Sequence, residues 1–240
     1  MPDDRTVENI LELNNLSVTY PDGTPGLHEV SLQLARTGRT ALLGPNGAGK
    51  TSLMLGIMGA LKFTGDIVVD GISLSRRTTT DVRSRCGMVF QNPDDQLFMP
   101  SLLEDVAFGP LNQGRSPDDA EKRSRDAIRS VGLEGLEQKA AHHLSGGQKR
   151  GASLATILSM NVKLLLLDEP GAGLDHRSYA RLIEILESRP EAFLISTHDL
   201  ALVRRLCRNV VVLDKGRVVA DGPTGTVLAD AALLARHGLA

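Results

Sequence analysis

Between an apolar run at residues 40–43 and a segment of helical spacing at residues 51–61 stands Gly44-Pro45-Asn46-Gly47-Ala48-Gly49-Lys50-Thr51, followed by Ser52. A glycine-rich loop of this spacing, leading from a strand into a helix and ending in Lys-Thr, is the P-loop pattern. Glycines let the backbone wrap closely around phosphate oxygens and turn several N–H groups inward. The helix that follows carries roughly half a positive charge at its start, which favours an anion there. Lys50 is expected to reach the β- and γ-phosphates, and the Thr51 hydroxyl to ligate Mg²⁺. A glycine turn with a chance lysine is the bland alternative. The strand before and the helix after decide for a nucleoside triphosphate site, and commit the chain to a layered α/β fold.

The remaining pattern agrees. Residues 10–20 and 29–34 alternate apolar and polar and read as two early antiparallel strands. Residues 66–69, 87–90, 164–167, 192–196 and 210–213 read as further strands, and Lys215-Gly216 joins the last to residues 217–220 as a hairpin. From about residue 92 to 144 the character changes. Pro93, Pro100, Pro110 and Pro117 punctuate short helical pieces, and residues 118–131 form an amphipathic helix, so a helical insertion is expected there. A short helix is expected near residues 226–237.

Composition excludes several functions. Lys plus Arg number 27 against 29 for Asp plus Glu, a net charge of -2, which does not suit a protein built to grip nucleic-acid backbone. Aromatics make up 3% and Trp is absent, so base-stacking platforms are not expected either. Cys86 and Cys207 form no CxxC pair, which points to a reducing compartment and no metal framework. Residues 1–9 are polar and acidic rather than a secretory signal, and no apolar run is long enough to span a bilayer. The expectation is a cytoplasmic protein that meets any membrane through a partner.

Four leucines, 164–167, run into Asp168 and Glu169. A buried strand delivers Asp168 beside the metal from a rigid sheet, and sets Glu169 at the strand end to polarise the attacking water as general base. Acids at a strand end are otherwise loop starters or helix caps; the upstream P-loop reverses that reading. His198 follows another apolar run and can contact the γ-phosphate and hold the water. Gln91 follows residues 87–90, and its amide oxygen can serve Mg²⁺ and water.

Leu144-Ser145-Gly146-Gly147-Gln148 resembles the signature motif of ATP-binding-cassette proteins. It repeats the P-loop idea, a glycine turn at a helix start presenting N–H groups and the Ser145 hydroxyl to phosphate. The resemblance extends over nearly the whole chain: Tyr20 matches the aromatic that stacks on adenine, Gln91 the Q-loop, Gly173-Leu174-Asp175 the D-loop, and Ser196-Thr197-His198-Asp199 the switch-histidine region. Tyr20 reads equally as a strand-end tyrosine. The resemblance implies an α/β P-loop NTPase, RecA-like with an antiparallel β-subdomain and an inserted α-helical signature subdomain. Residues 8–240 would form one nucleotide-binding domain with the helical insertion at about 92–160. It further implies a dimer, homodimeric or with a related ATPase, in which Ser145, Gly146, Gly147 and Gln148 close over ATP held by the other subunit.

Residues 89–98 (Val-Phe-Gln-Asn-Pro-Asp-Asp-Gln-Leu-Phe), 104–110 (Glu-Asp-Val-Ala-Phe-Gly-Pro) and His142-His143 look like the energy-coupling-factor importers, above all the cobalt/nickel branch. That likeness implies a transmembrane coupling protein, a membrane substrate-binding protein and a peripheral position on the cytoplasmic face of the inner membrane, with no nucleic-acid partner. Cobalt or nickel leads as cargo and a biotin-like vitamin follows; a non-transport soluble cassette is the reading outside transport. Asp94, Asp95, Glu104 and Asp105 are candidate contacts for basic coupling helices. Three residues depart from the family: Gly151 replaces a basic or bulky residue, Gly171 a Ser or Thr, and His176 a proline. Only about twenty residues follow Asp221, where related ATPases often carry a dimerisation region, so dimerisation is expected to depend on ATP and the membrane partner.

Overall fold

The computed structural model describes residues 9–239. The polar start read at residues 1–9 lies outside them save for Asn9, as do residues 8 and 240 of the expected domain.

Among the described residues the strands form two sheets. Strands β1 (Asn9–Thr19), β2 (Pro25–Ala35), β4 (Lys62–Val69) and the short β5 (Ile72–Ser73) make an antiparallel sheet in the order β2-β1-β4-β5. Strands β3 (Arg39–Leu43), β6 (Cys86–Val89), β7 (Leu164–Asp168), β8 (Ala192–Ser196), β9 (Asn209–Asp214) and β10 (Arg217–Pro223) make the second, in the order β10-β9-β3-β8-β7-β6. This sheet is parallel except for β10, which returns antiparallel beside β9. The Lys215-Gly216 turn has both residues at positive φ, 47° and 73°, as a two-residue hairpin turn needs.

The parallel strands are buried on both faces, which is why they read as unbroken apolar runs rather than alternations. One face meets helix α1 (Lys50–Ile57) and the antiparallel sheet, where Leu53, Met54 and Ile57 join the alternating inward residues of β1 and β2. The other face is covered by α5 (Gly146–Leu158), α6 (His176–Glu187) and α7 (Leu200–Leu206), and α3 (Leu102–Asn112) and α4 (Pro117–Ser130) pack on α5. Helix α2 (Thr79–Arg85) precedes β6. The caps are written in the sequence: Ser101, Ser116, Ser145, Asp175 and Asp199 each accept an amide of the following first turn.

Strand β2 begins at Pro25 rather than 29, and β10 runs to Pro223 rather than 220. Three further boundaries differ from the sequence reading. Helix α1 stops at Ile57, because Gly59 adopts φ +63° and turns the chain before Leu61. Strand β4 starts at Lys62 rather than 66, since a bulge shifts its pairing with β1 between Asn14 and Ser17. Gly65 sits at that bulge at φ +87°, where a β-carbon would lie 2.4 Å from the Asn15 carbonyl oxygen; the bulge hides the strand's alternation. The helix expected at 226–237 is two pieces, α8 (Thr224–Val227) and α9 (Ala231–Arg236), with Asp230 capping the second.

Candidate active site

The loop from Gly44 to Gly49 joins the end of β3 to α1. Gly44, Gly47 and Gly49 all have positive φ, and two of them are packed so closely that no side chain fits. A β-carbon on Gly44 would meet the Leu213 carbonyl oxygen at 2.2 Å, and one on Gly49 the Gly26 carbonyl oxygen at 2.8 Å. Gly47 instead faces open space, leaving its backbone accessible. The first N–H groups of α1 have no intrahelical carbonyl to meet and face the same concavity. Ala48 is buried beneath the loop, and its carbonyl accepts from Gly216 of the β9–β10 turn.

Lys50 is almost wholly buried. Its ammonium donates to the carbonyls of Gly44 (2.7 Å) and Pro45 (3.1 Å), so the loop carries its own cation. Burial lowers its pKa, while Glu169 and Asp168 act in the opposite direction.

Opposite the loop, β7 and β8 end side by side, with Asp168 paired in register to Ser196. The Thr51 hydroxyl donates to Asp168 Oδ2 at 2.7 Å, and the Ser196 hydroxyl donates to Oδ1. Glu169 follows at φ 45°, a left-handed conformation that costs a non-glycine residue of order 1 kcal/mol or more. Its N–H is held by the Ser196 carbonyl at 3.0 Å and the Ser196 hydroxyl at 3.3 Å. That backbone twist brings the carboxylate over the loop. Burial raises the Glu169 pKa above the usual glutamate range, with His198 and Lys50 only partly offsetting it. His198 Nε2 stands 3.2 Å from Glu169 Oε1 and 3.2 Å from Asn46 Oδ1, joining base candidate, histidine and phosphate loop.

A cavity of about 710 Å³ collects these groups: Tyr20, residues 46–52, Gln91, Asp168, Glu169 and His198 all line it. Tyr20 shares a hydrogen bond with Ser52 (2.7 Å between hydroxyls), which ties the end of the β1 strand to α1. The signature residues lie elsewhere. Ser145 accepts the Gln148 amide and the Gln148 side chain accepts the Ser145 amide, a capping box at the start of α5. Ser145, Gly147 and Gln148 border a second cavity of about 300 Å³ that contains none of the phosphate-loop residues. One chain therefore holds the loop and the signature as two separate surfaces.

Two residues had no role of their own in the sequence reading, Ser196 standing there only as part of the switch-histidine region. Ser196, which fixes the Asp168 carboxylate, is a polar residue closing an apolar strand, and that break in the run was its signal. Arg150 is buried on α5 and donates to the carbonyls of Phe90 (2.9 Å) and Gln91 (2.8 Å), fastening the signature helix to the Gln91 loop. A basic residue in a helix of ordinary composition gives no such signal. His142 and His143 pack ring against ring at 4.0 Å, and among the described residues no group of three or more His, Cys, Asp or Glu could hold a metal.

The family model described as ABC transporter matches residues 27–172. The energy-coupling factor transporter ATP-binding protein EcfA of Methanothermobacter thermautotrophicus is 42% identical over 236 residues, covering 96% of this chain and 76% of that protein. Among solved structures, cbiO1 of Clostridium perfringens, described as part of the ABC transporter complex cbiONQ, superposes with a TM-score of 0.81 at 36% identity, covering 97% of this chain and 95% of that one. A dimeric ATP-binding cassette in a post-hydrolysis state with ADP and Pi bound gives a TM-score of 0.80 at 25% identity, over 89% of this chain and 98% of that one.

Proposed function

The chain belongs to the family of ABC transporter ATPases, and from that premise we propose that it is the ATP-hydrolysing subunit of an energy-coupling-factor importer, acting as a dimer. The observation that carries this reading is the convergence of Thr51, Asp168, Glu169, His198 and Asn46 on one cavity. The loop amides and Lys50 would bind the β- and γ-phosphates, and Tyr20, which lines the same cavity, would stack on the adenine ring. Thr51, Asp168 and Gln91 offer only oxygen donors, the set that suits Mg²⁺. When bound, the ion neutralises charge building on the phosphate oxygens. Glu169, held at its strained backbone position, takes the proton of the attacking water, and the burial that raises its pKa makes it a stronger base than an exposed glutamate. His198 orients Glu169 and reaches the γ-phosphate.

The separation of the two surfaces supports the dimer. Ser145, Gly146, Gly147 and Gln148 would complete the site of the partner subunit, so ATP closes the pair and hydrolysis reopens it. Residues 92–160 would move as the helical subdomain within the domain 8–240.

The membrane partner would dock in an apolar groove of about 620 Å³ between α3, α5 and the end of β6. Phe98 and Phe108 form an exposed edge-to-face pair on it, with ring centroids 5.3 Å apart. Of the four acids singled out in the sequence, Asp94 is engaged by Lys149 at 2.6 Å and Glu104 by the Ser101 hydroxyl at 2.7 Å. Asp95 and Asp105 line the groove, and the buried Oδ2 of Asp105 has no hydrogen-bond partner. Asp105 is almost wholly buried and its Oδ1 accepts from the amides of Phe98 and Met99 (2.9 Å each), so it fixes the loop under the groove instead of meeting a docking helix, and Asp95 is the exposed acid left for a basic coupling helix. Among the described residues no helix is long and apolar enough to cross a membrane. The likeness to energy-coupling factor ATP-binding proteins supports a peripheral position on the cytoplasmic face. Cobalt or nickel is the proposed cargo, supported by the likeness at residues 89–98 and to the cbiO1 structure.

Gentle solubilisation of native membranes with the tagged protein, followed by mass spectrometry, tests this. A multi-spanning coupling protein and a small membrane-embedded binder are expected to co-purify. A permease pair with an extracytoplasmic receptor would move the motor to another importer class.

A further inference from the structure

One of the family departures has a structural counterpart. Gly171 follows Glu169 and Pro170 where the family usually carries Ser or Thr, and the space of that side chain is filled by the ring of Tyr179. A β-carbon on Gly171 would lie 3.0 Å from Tyr179 Cε2 and 3.4 Å from Cδ2, closer than carbons ordinarily pack, with Leu202 Cδ1 at 3.8 Å behind. Tyr179 stands on α6, in the turn after the Asp175 cap, and its N–H donates to the Asp175 carbonyl. Its ring therefore spans from α6, past the backbone that carries Glu169, to the start of α7.

There its hydroxyl donates to Asp199 Oδ2. The other oxygen of the same carboxylate caps α7, accepting from the amides of Ala201 (2.9 Å) and Leu202 (3.0 Å). Asp199 is thus held from both sides, by the helix it starts and by α6. Burial alone would raise its pKa; the Tyr179 hydroxyl and the two amides outweigh burial and keep it an anion. The residue immediately before it is His198, whose ring meets Glu169 and Asn46. Backbone freedom at 198 is limited by whatever fixes 199.

We infer that Tyr179 is a positioning residue for ATP hydrolysis: by anchoring the Asp199 carboxylate it sets the His198 imidazole against Glu169, and the missing side chain at Gly171 is what admits its ring. Tyr179 does not line the cavity around the phosphate loop; its hydroxyl is engaged by Asp199 and acts through the 198–199 peptide. Because α6 begins at the Gly173-Leu174-Asp175 loop, the same tyrosine links that loop to the histidine. This inference rests on the proposed ATPase reading and assigns residues 171 and 179 a part in it.

The test is steady-state ATP hydrolysis by the full chain with Mg²⁺, comparing wild type, Tyr179→Phe, His198→Ala and the double variant, with thermal unfolding of each. Tyr179→Phe removes one oxygen and keeps the ring. Partners one layer behind an active group are worth roughly ten- to a hundredfold in activity. Tyr179→Phe is expected to lower kcat on that scale with KM for ATP unchanged, and to leave the residual rate of His198→Ala unaltered. Gly171→Ser, which pushes the ring away, should lower kcat in the same direction and add nothing to Tyr179→Phe. An unchanged kcat in folded Tyr179→Phe, or an equal proportional loss with and without His198, would overturn the role of Tyr179 alone. A wild type that hydrolyses no ATP would overturn the ATPase reading and this inference with it.

Discussion

Glu169 is where the chain departs furthest from comfortable chemistry: a buried carboxylate on a backbone at φ 45°, with a pKa raised by burial against the pull of His198 and Lys50. Replacing it by Gln removes the base while keeping the shape. Hydrolysis should fall roughly 10²- to 10⁴-fold, the usual worth of a positioned general base. ATP should then hold the protein as a dimer on size-exclusion chromatography; wild-type turnover in Glu169→Gln would remove this residue from the base role. The same substitution predicts a stability change. An acid whose folded pKa exceeds its unfolded one costs stability while ionised; that cost is full above the folded pKa and fades as pH falls through it toward the unfolded value, near 4.5. Glu169→Gln should therefore unfold at a higher temperature than wild type above the folded pKa, with the gap closing as pH falls through that pKa and gone once it reaches the unfolded value near 4.5. Most of this site was legible in the sequence, because a P-loop and two acids at a strand end have fixed spacings. Ser196 and Arg150 were not, since their partners are set by strand register and helix rotation, which no local pattern encodes.

Among the elements, the strands of the parallel sheet were legible to within a residue or two, because burial on both faces leaves continuous apolar runs. The antiparallel strands were legible only where alternation survives, and the bulge at Gly65 removed it from the start of β4. Helices α6 and α7 were not placed in advance: with one apolar stripe each and no breaker inside, they lacked the punctuation that marks α3 and α4. Glycines divide by the same logic. Gly151 lies inside α5, and a β-carbon there would meet nothing nearer than Leu133 Cδ1 at 3.6 Å, an ordinary contact. Gly151→Ala should stabilise the protein by about 1 kcal/mol, the helix-propensity difference, and leave KM for ATP unchanged. Gly49 sits at φ +105°, where a β-carbon would strike the Gly26 carbonyl oxygen at 2.8 Å. Gly49→Ala should lose ATP binding and stability together. Thermal unfolding with and without nucleotide separates the two cases; a destabilised Gly151→Ala would mean that the signature helix needs the gap.

At the scale of the molecule, the question is how the layer of helices knows the state of the phosphate loop, since α5 contributes no side chain to the cavity around Lys50. Arg150 is the physical tie. Its guanidinium leaves α5 buried and donates to the carbonyls of Phe90 and Gln91, so a movement of Gln91 at the nucleotide displaces the signature helix, and the reverse. Burial lowers the Arg150 pKa while Asp168 and Glu169 raise it, and an arginine so placed remains charged. Methionine at this position keeps the apolar stem and removes every donor, leaving two part-buried carbonyls that water can partly satisfy. Arg150→Met should therefore cost about 1–3 kcal/mol of stability in all, the range of a lost hydrogen bond to a charged group. Its nucleotide affinity should persist, because the cradle from Gly44 to Thr51 makes no contact with Arg150 among the hydrogen bonds described. Amide hydrogen exchange should speed up at residues 90–92 and along the start of α5, and the slowing at α5 that ATP is expected to bring in wild type should be lost in the variant. Protection at α5 that still follows ATP binding in the variant would show that the coupling runs through the Phe90–Gln91 backbone without this arginine.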